Sequence, residues 1–226
     1  MTALYRLCGE GRPGKGRCGK GAARRSRAPH YRDAVTSMLT WQAGDGRMLE
    51  SARVLLGAGG LRALGRAVRA VPNAPMFTSS YRLVVGESGD VQRLSVTTAS
   101  AERERSLTLN RTEDGYWLLD TGSGGSRAEF DKSVDVDLEF SPLFNALPIR
   151  RLGLHKEPGE HSIATVIVSV PTLEVSVVRQ HYRTISTLDA DGRAVVEFTQ
   201  ADFTAALTVD ADGLVLDYPA LATRLW

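Results

Sequence analysis

Cysteine is almost absent from this chain of 226 residues: its two cysteines, Cys8 and Cys18, both lie near the amino terminus. The rest of the chain therefore has neither a disulfide framework nor a cysteine metal site to support a fold. Long apolar runs are missing as well, since no stretch approaches the about 18 consecutive apolar residues of a membrane-spanning helix. The fold must rest on an ordinary apolar core, and we expect no membrane insertion.

The charges are distributed unevenly along the chain. Residues 1–37 contain nine Lys or Arg and two Asp or Glu, a net charge of +7, whereas the remainder contains 19 basic and 24 acidic residues, a net charge of −5. A folded domain that binds duplex nucleic acid needs a basic face. The weakly acidic remainder therefore argues against nucleic acid as the ligand of the folded domain.

The basic segment 1–37 is rich in Gly and Arg and has too little apolar surface to bury. We interpret it either as a disordered tail or as an upstream extension that precedes a start at Met38. A tail of this kind can dock on nucleic acid or on acidic lipid. The segment lacks the apolar stretch of about 7 to 15 residues that a signal peptide needs, so we expect a cytoplasmic location.

From Arg47 onward, short runs in which apolar and polar residues alternate are separated by turn signals. This pattern predicts an antiparallel sheet rather than alternating strands and helices. Hairpins are predicted over residues 81–97, 105–119 and 203–218. Two long strands are predicted over 163–170 and 173–182, on either side of Pro171. So many hairpins imply a large sheet that must curl to cover its apolar face.

Two other segments carry more specific expectations. In residues 134–140, apolar residues alternate with three acidic residues, which predicts a strand with one face in the core and its acidic face in water. Residues 61–71 fit either a helical stripe or a strand, although Gly65 weakens a helix by about 1 kcal/mol relative to Ala.

Three motifs carry a resemblance to a known family. They are SPLFNALPIRRL at 141–152, VRQHY at 178–182 and DADGLVLDYPAL at 210–221. In their order and spacing, the chain resembles the bacterial putative glycolipid-binding protein family over about residues 38–226. The resemblance implies a single, mostly β domain, a large antiparallel sheet curled into an open spiral β-roll or half-barrel with few short helices, similar to bacterial lipoprotein carriers. It also implies an apolar interior and a strand at residues 61–71.

Two adjacent arginines, Arg150 and Arg151, follow the apolar part of the first motif. Each guanidinium offers a planar fork of donors, so the pair can clamp a phosphate, sulfate or sugar-acid group beside an apolar cavity. If the segment is extended, the two side chains point to opposite faces and one of them lines the cavity. The alternative is a structural ion pair with Asp135, Asp137 or Glu139.

Tyr182, in the second motif, combines a flat apolar ring with a polar tip, which suits a sugar ring or a lipid headgroup. Trp41 and Tyr218 have the same character but are more typical of a buried core. We predict that four residues orient the headgroup at the mouth of the cavity. These ligand-binding residues are Asn145, Arg150, Arg151 and Tyr182.

Signatures of catalysis are few. Residues 124–128, GGSRA, resemble a nucleophile elbow, but no apolar strand precedes them. His155 and His161 lie near two glutamates, yet Pro158 and Gly159 make this segment a turn without a fixed metal-binding face. We therefore predict no catalytic residue, no cofactor and no bound metal.

The sequence favours a non-catalytic protein that binds an amphipathic small molecule, a glycolipid or lipid-like ligand, in an apolar cavity of the curled sheet. The alternative is an enzyme that acts on a small hydrophobic or sugar substrate, with a site assembled from distant polar residues. Two titratable groups with shifted pKa values that converge in the cavity would favour the enzyme.

Overall fold

The computed structural model describes residues 34–225, which form fifteen β-strands and one α-helix. The strands are β1 Val35–Gln42, β2 Met48–Gly57, β3 Gly60–Arg69, β4 Phe77–Val85, β5 Val91–Ser100, β6 Glu104–Arg111, β7 Trp117–Asp120, β8 Gly125–Ala128, β9 Asp135–Leu138, β10 Glu160–Val168, β11 Val175–Ser186, β12 Ala194–Gln200, β13 Phe203–Val209, β14 Val215–Tyr218 and β15 Ala222–Arg224. The helix, α1, is Pro142–Arg151. The expectations for residues 1–33, including both cysteines, lie outside the described residues.

All fifteen strands belong to one sheet, in which β8 and β9 form the two edges. Strands β1 to β8 follow one another across one half, and β15 back to β9 follow one another across the other half. The halves join where β1 pairs antiparallel with β15, with Trp41 opposite Arg224. The predicted mostly β fold, with one large sheet that does not close into a barrel, is confirmed.

The hairpins predicted from alternation are present. They are the antiparallel pairs β4 with β5, β6 with β7, and β13 with β14. The two long strands on either side of Pro171 are β10 and β11, which also pair antiparallel. The ambiguous segment 61–71 lies mostly in strand β3, as the family resemblance implied.

Strand β9 differs from the prediction for residues 134–140. It pairs in parallel with β10, and α1 packs against it. The acidic face that we expected in water is covered, since Asp135 is only 1% exposed and Asp137 accepts a hydrogen bond from Gln180. The prediction of a solvated acidic face is wrong because the local alternation carries no information about the distant elements that cover this edge strand.

Helix α1 fills the interior that the resemblance implied to be open. Pro142 occupies the first turn, where its missing N–H costs nothing and its fixed φ favours the helix. Every residue from Pro142 to Ile149 is buried, as expected for a helix that is apolar all round. Phe144 belongs to the core cluster of β1 to β6, and Ile149 to the cluster of β11 to β14. The helix therefore joins the two parts of the core.

A glycine in β3 provides the space for an aromatic contact between the sheet and α1. Gly65 lies opposite Tyr81 of β4, and a Cβ atom at this glycine would overlap the phenol ring. The buried ring of Tyr81 makes an edge contact with Phe144 of α1, with ring centroids 5.3 Å apart. The absent side chain thus allows the sheet to hold the helix.

We expect Gly65→Ala to lower the free energy of unfolding by about 2 kcal/mol, because the new methyl group must displace a buried ring. Gly44→Ala is the matched control, since no atom lies within 4 Å of the corresponding Cβ position. Urea denaturation of the two variants measures the difference. An equal stability of the two variants would contradict the proposed contact.

Candidate ligand-binding site

The two predicted arginines line one surface depression at the end of α1. Arg150 and Arg151 form its wall together with Leu147 and two glycine-rich turns, 57–60 and 86–89, around a volume of about 210 Å³. The second turn approaches the helix closely, since a Cβ at Gly89 would lie 2.8 Å from the Cβ of Arg151. Because the segment is helical and not extended, both arginines reach the same depression.

Arg151 forms the structural ion pair that was the alternative interpretation. Its Nε donates to Oδ1 of Asp135 at 3.2 Å, and its Nη2 donates to Oδ2 at 2.5 Å. Burial raises the pKa of Asp135, an effect larger than the opposite effect of the guanidinium. Much of the donor capacity of Arg151 is therefore used within the protein.

Arg150 is differently placed. Its Nη1 donates to the backbone carbonyl of Asp212, and burial lowers its pKa. Within residues 34–225, Arg150 forms no ion pair with a carboxylate. Of the two arginines, Arg150 is the one without a bound carboxylate, although the charges of Asp212 and Asp210 act on its guanidinium from beyond ion-pair distance.

The other two predicted residues belong to a hydrogen-bond network inside the protein. Asn145 donates from Nδ2 to Oη of Tyr182 at 3.1 Å, and Tyr182 donates to Oε1 of Gln180 at 3.1 Å. Gln180 donates in turn to Asp137 at 2.7 Å and to Gln200 at 2.9 Å. Asn145 and Tyr182 are both buried, so the network ties α1 to the sheet.

Burial within this network shifts the proton equilibria of its acidic groups. It raises the pKa of Asp137 to about 6, against the hydrogen bond from Gln180, which lowers it. The pKa of Tyr182 is also raised by burial, with a further contribution from the charge of Asp137. The structure thus brings two titratable groups with shifted pKa values together.

A second buried polar cluster was not anticipated from the sequence. Glu50 in β2 has no exposed surface, and its Oε1 accepts hydrogen bonds from Tyr81 at 2.5 Å and Ser141 at 2.7 Å. Its Oε2 has no partner among the described residues. Burial raises the pKa of Glu50 to about 7. A signal was present in the sequence, because Glu50 shares the inward parity of Met48 and Ala52.

The space beside Glu50 is small. Glu50, Tyr81 and Ser141 line a cavity of about 10 Å³, which is the size of one water molecule. Arg69 and Phe140 line both this cavity and a surface depression of about 490 Å³, and the Arg69 guanidinium lies 4.1 Å from the Phe140 ring centroid. The present arrangement supports hydrogen bonding and proton storage in the core and leaves no room for a substrate at Glu50.

The sequence from residue 38 to residue 224 matches the model of the family described as putative glycolipid-binding. The chain belongs to this family. A crystal structure of a DUF1089 family protein from Pseudomonas aeruginosa is similar, with 28% identity over 79% of this chain and 92% of that chain and a TM-score of 0.62. No protein among the curated proteins matches the chain.

A second solved structure is less similar in sequence and in fold. The β-barrel-like protein of domain of unknown function DUF1849 from Brucella abortus has 9% identity over 84% of this chain and 92% of that chain, with a TM-score of 0.43.

In residues 34–225 of this family member, no helix has the length and hydropathy to cross a membrane. No group of three or more His, Cys, Asp or Glu side chains in the same range is arranged to hold a metal ion. The cytoplasmic location and the exclusion of nucleic acid from the folded domain stay predictions.

The raised pKa of Glu50 predicts a pH-dependent stability for this family member. Between its ordinary pKa of 4.5 and its folded pKa of about 7, the folded state binds more protons than the unfolded state. The free energy of unfolding therefore falls as the pH rises through this window, by roughly 3 kcal/mol in total from this group. Asp137, with a pKa of about 6, adds a loss at the lower end of the window.

Glu50→Gln removes the titrating group, so we expect the fall in stability between pH 6 and pH 7 to be much smaller in this variant. Urea denaturation at a series of pH values measures the slope. Glu174→Gln, which changes an exposed glutamate, is the control. The assignment fails if Glu50→Gln and the native protein lose stability equally over that interval.

The ion pair at the end of α1 predicts a second effect on stability. Arg151→Met leaves the buried Asp135 without its cation, so we expect a loss of about 3 to 5 kcal/mol in the free energy of unfolding. Adding Asp135→Asn should recover most of this loss. The matched control is Arg127→Met, because Arg127 pairs with Asp114 in an exposed position, where an ion pair contributes about 1 kcal/mol or less. Equal losses in the two single variants would argue against a stabilising role of the buried pair.

Proposed function

We propose that this protein binds a glycolipid or a similar amphipathic molecule without chemical turnover, with the headgroup in the depression beside Arg150 and Arg151. The observation that carries the proposal is the position of Arg150. Its side chain lines the depression, and within residues 34–225 its guanidinium forms no ion pair, although the charges of Asp210 and Asp212 act on it from beyond ion-pair distance. Membership of the putative glycolipid-binding family supports the choice of ligand class.

The depression has the chemistry that a sugar or anionic headgroup requires. The guanidinium of Arg150 offers planar donors to a phosphate, sulfate or sugar-acid group. The turns 57–60 and 86–89 are rich in glycine, so a sugar ring can approach their backbone closely. Leu61, Leu147 and Val85 also line the depression, but each is at most 5% exposed, so they form its apolar floor. Glu87 of the second turn lines the depression as well, so the lining has one carboxylate beside the two guanidinium groups.

The apolar part of the ligand would enter the interior when α1 shifts. The helix is joined to the sheet through side chains, including the Asn145–Tyr182 hydrogen bond, whereas each strand is fixed by a backbone ladder. A shift of α1 would therefore leave the sheet intact. It would also open Asn145 and Tyr182 to the ligand, which gives all four predicted residues a place in the site.

The energetics of such an exchange are adequate. Burial of one methylene group contributes about 0.8 kcal/mol, so ten groups contribute about 8 kcal/mol before costs, the scale of micromolar affinity. The apolar contacts of α1 that are lost, together with the entropy of association, subtract from this value. The headgroup contacts of Arg150 then add selectivity between lipid classes.

The second candidate function is the enzyme anticipated from the sequence. The convergence of Glu50, Tyr81 and Ser141 favours it, since a carboxyl group with a pKa of about 7 and two hydroxyl groups are suitable for acid and base chemistry. Turnover would require a substrate to reach Glu50. Incubation of the protein with glycolipids, followed by analysis of the lipid products, separates the enzyme from the binding protein.

Native mass spectrometry of the full-length protein with glucuronosyl diacylglycerol, whose headgroup is a sugar acid, tests the binding. We expect an adduct of one lipid per chain, and Arg150→Ser should weaken binding about tenfold or more through the lost charge-assisted hydrogen bonds. Arg193→Ser, at an exposed arginine in a turn, is the control. A clean apo mass with this lipid and with extracted bacterial lipids, or equal affinities of the two variants, would refute the proposal.

A further inference from the structure

The outward surface of strands β2 to β4 is strongly basic. Arg53, Arg66 and Arg82 are exposed and line a depression of about 530 Å³ on this surface. Within residues 34–225, none of these three arginines forms an ion pair. We refer to the surface around these three residues as the arginine face.

Apolar side chains alternate with the arginines across the strands. Met38 of β1 lies opposite Arg53, which lies opposite Leu64 of β3, which in turn lies opposite Arg82. Met38 is 59% exposed and Leu64 is 44% exposed, and both line the depression. The arginine face therefore combines positive charge with exposed apolar groups. A partner that fits it has both negative charge and an apolar part.

The composition of β1 to β5 makes the charge of this surface positive. These five strands contain six arginines and a single acidic residue, Glu50, which is buried on the inner face. Their aromatic residues, Trp41, Phe77 and Tyr81, are also buried. The outward positions of these strands thus place neither an acidic nor an aromatic residue beside Arg53, Arg66 and Arg82.

We propose that the arginine face docks on the surface of an anionic lipid bilayer. Each Arg close to such a surface is attracted by the negative headgroups, and the exposed Met38 and Leu64 can enter the boundary between headgroups and acyl chains. Hydroxyl groups of Ser80 and Thr97 in the same depression offer hydrogen bonds to the headgroups. This inference is independent of the glycolipid site, because it rests on the opposite face of the sheet.

Other partners fit the arginine face less well. A second copy of the chain, docked through the same face about a twofold axis, would bring arginines against arginines. Single-stranded nucleic acid is held largely by stacking of bases on aromatic rings, and the aromatic residues of these strands are buried. An acidic protein with apolar groups of its own is the remaining alternative, and under it neither set of vesicles used below would bind.

The test is sedimentation of the full-length protein with vesicles. One set contains phosphatidylglycerol and phosphatidylcholine, and the other contains phosphatidylcholine alone. We expect binding to the anionic set only, and a loss of binding in 1 M salt, where the Debye length falls to about 3 Å. The triple variant Arg53→Ser, Arg66→Ser, Arg82→Ser should lower the partition coefficient about 100-fold.

A second triple variant, Arg103→Ser, Arg179→Ser, Arg193→Ser, changes the net charge equally at exposed arginines outside β1 to β5 and should bind as the native protein does. Met38→Ser with Leu64→Ser should also weaken vesicle binding, which a purely electrostatic contact would not show. Circular dichroism verifies that each variant is folded.

The proposal is overturned if the two triple variants lose binding equally, if the variant of the arginine face binds vesicles as tightly as the native protein does, or if a labelled oligonucleotide binds to this face more tightly than the vesicles do. Basic residues in 1–37 are common to all variants, so they cannot produce the expected difference. Native mass spectrometry with glycolipid reports the proposed function separately. Loss of vesicle binding with retained glycolipid binding would therefore separate the two sites.

Discussion

The structure depends on how one very large sheet covers its own apolar face. A sheet of fifteen strands cannot remain flat and bury a core, and its edges do not meet in a closed barrel. Helix α1 completes the core, because it contributes eight consecutive buried residues to the space inside the curled sheet. The positions of the buried polar clusters and of the depression beside Arg150 and Arg151 follow from the packing of this helix.

A buried helix that is apolar on all sides could slide or rotate without a large change in apolar contact. Specific polar contacts remove this freedom. Ser141 at the start of α1 binds Glu50, Asn145 in its middle binds Tyr182, and Arg151 at its end binds Asp135. Because each buried polar group is costly without its partner, the three contacts together favour one position of the helix along the sheet, and a ligand that shifts α1 must replace the contacts that the shift breaks.

The sequence predicted those parts of the fold that depend on local pattern. Alternation located the hairpins because both strands and the turn lie within about twenty residues, and the three motifs indicated the family. The helix was not predicted, because only an extended conformation was considered for Arg150 and Arg151, although Pro142 is compatible with a first helical turn. The burial of Asp135 was missed for a different reason. The burial of Asp135 results from packing against α1 and β10, which the alternation of residues in β9 does not predict.

The four predicted ligand-binding residues stay a prediction, and the structure gives their positions. Arg150, Arg151, Asn145 and Tyr182 all lie on or against α1, but two line a depression and two lie in the core. Glu50 was overlooked although its parity in β2 placed it inward. The arginine face was not predicted from the net charge. The acidic excess of residues 38–226 is a sum over the chain, whereas Arg53 and Arg82 are brought together by strand register.

Side chains alternate between the two faces of a strand, so the two faces of β4 have different roles. Tyr81 points inward and contacts both Glu50 and Phe144 of α1, whereas its neighbour Arg82 points outward to the arginine face. The residues that hold the helix and the residues that would meet a bilayer are therefore adjacent in sequence but separated by the sheet. A ligand that entered the roll beside α1 and a membrane that contacted the outer surface would therefore act on opposite faces of the same strands. Substitutions at outward positions of these strands would then change membrane attachment and leave the inward contacts of α1 in place.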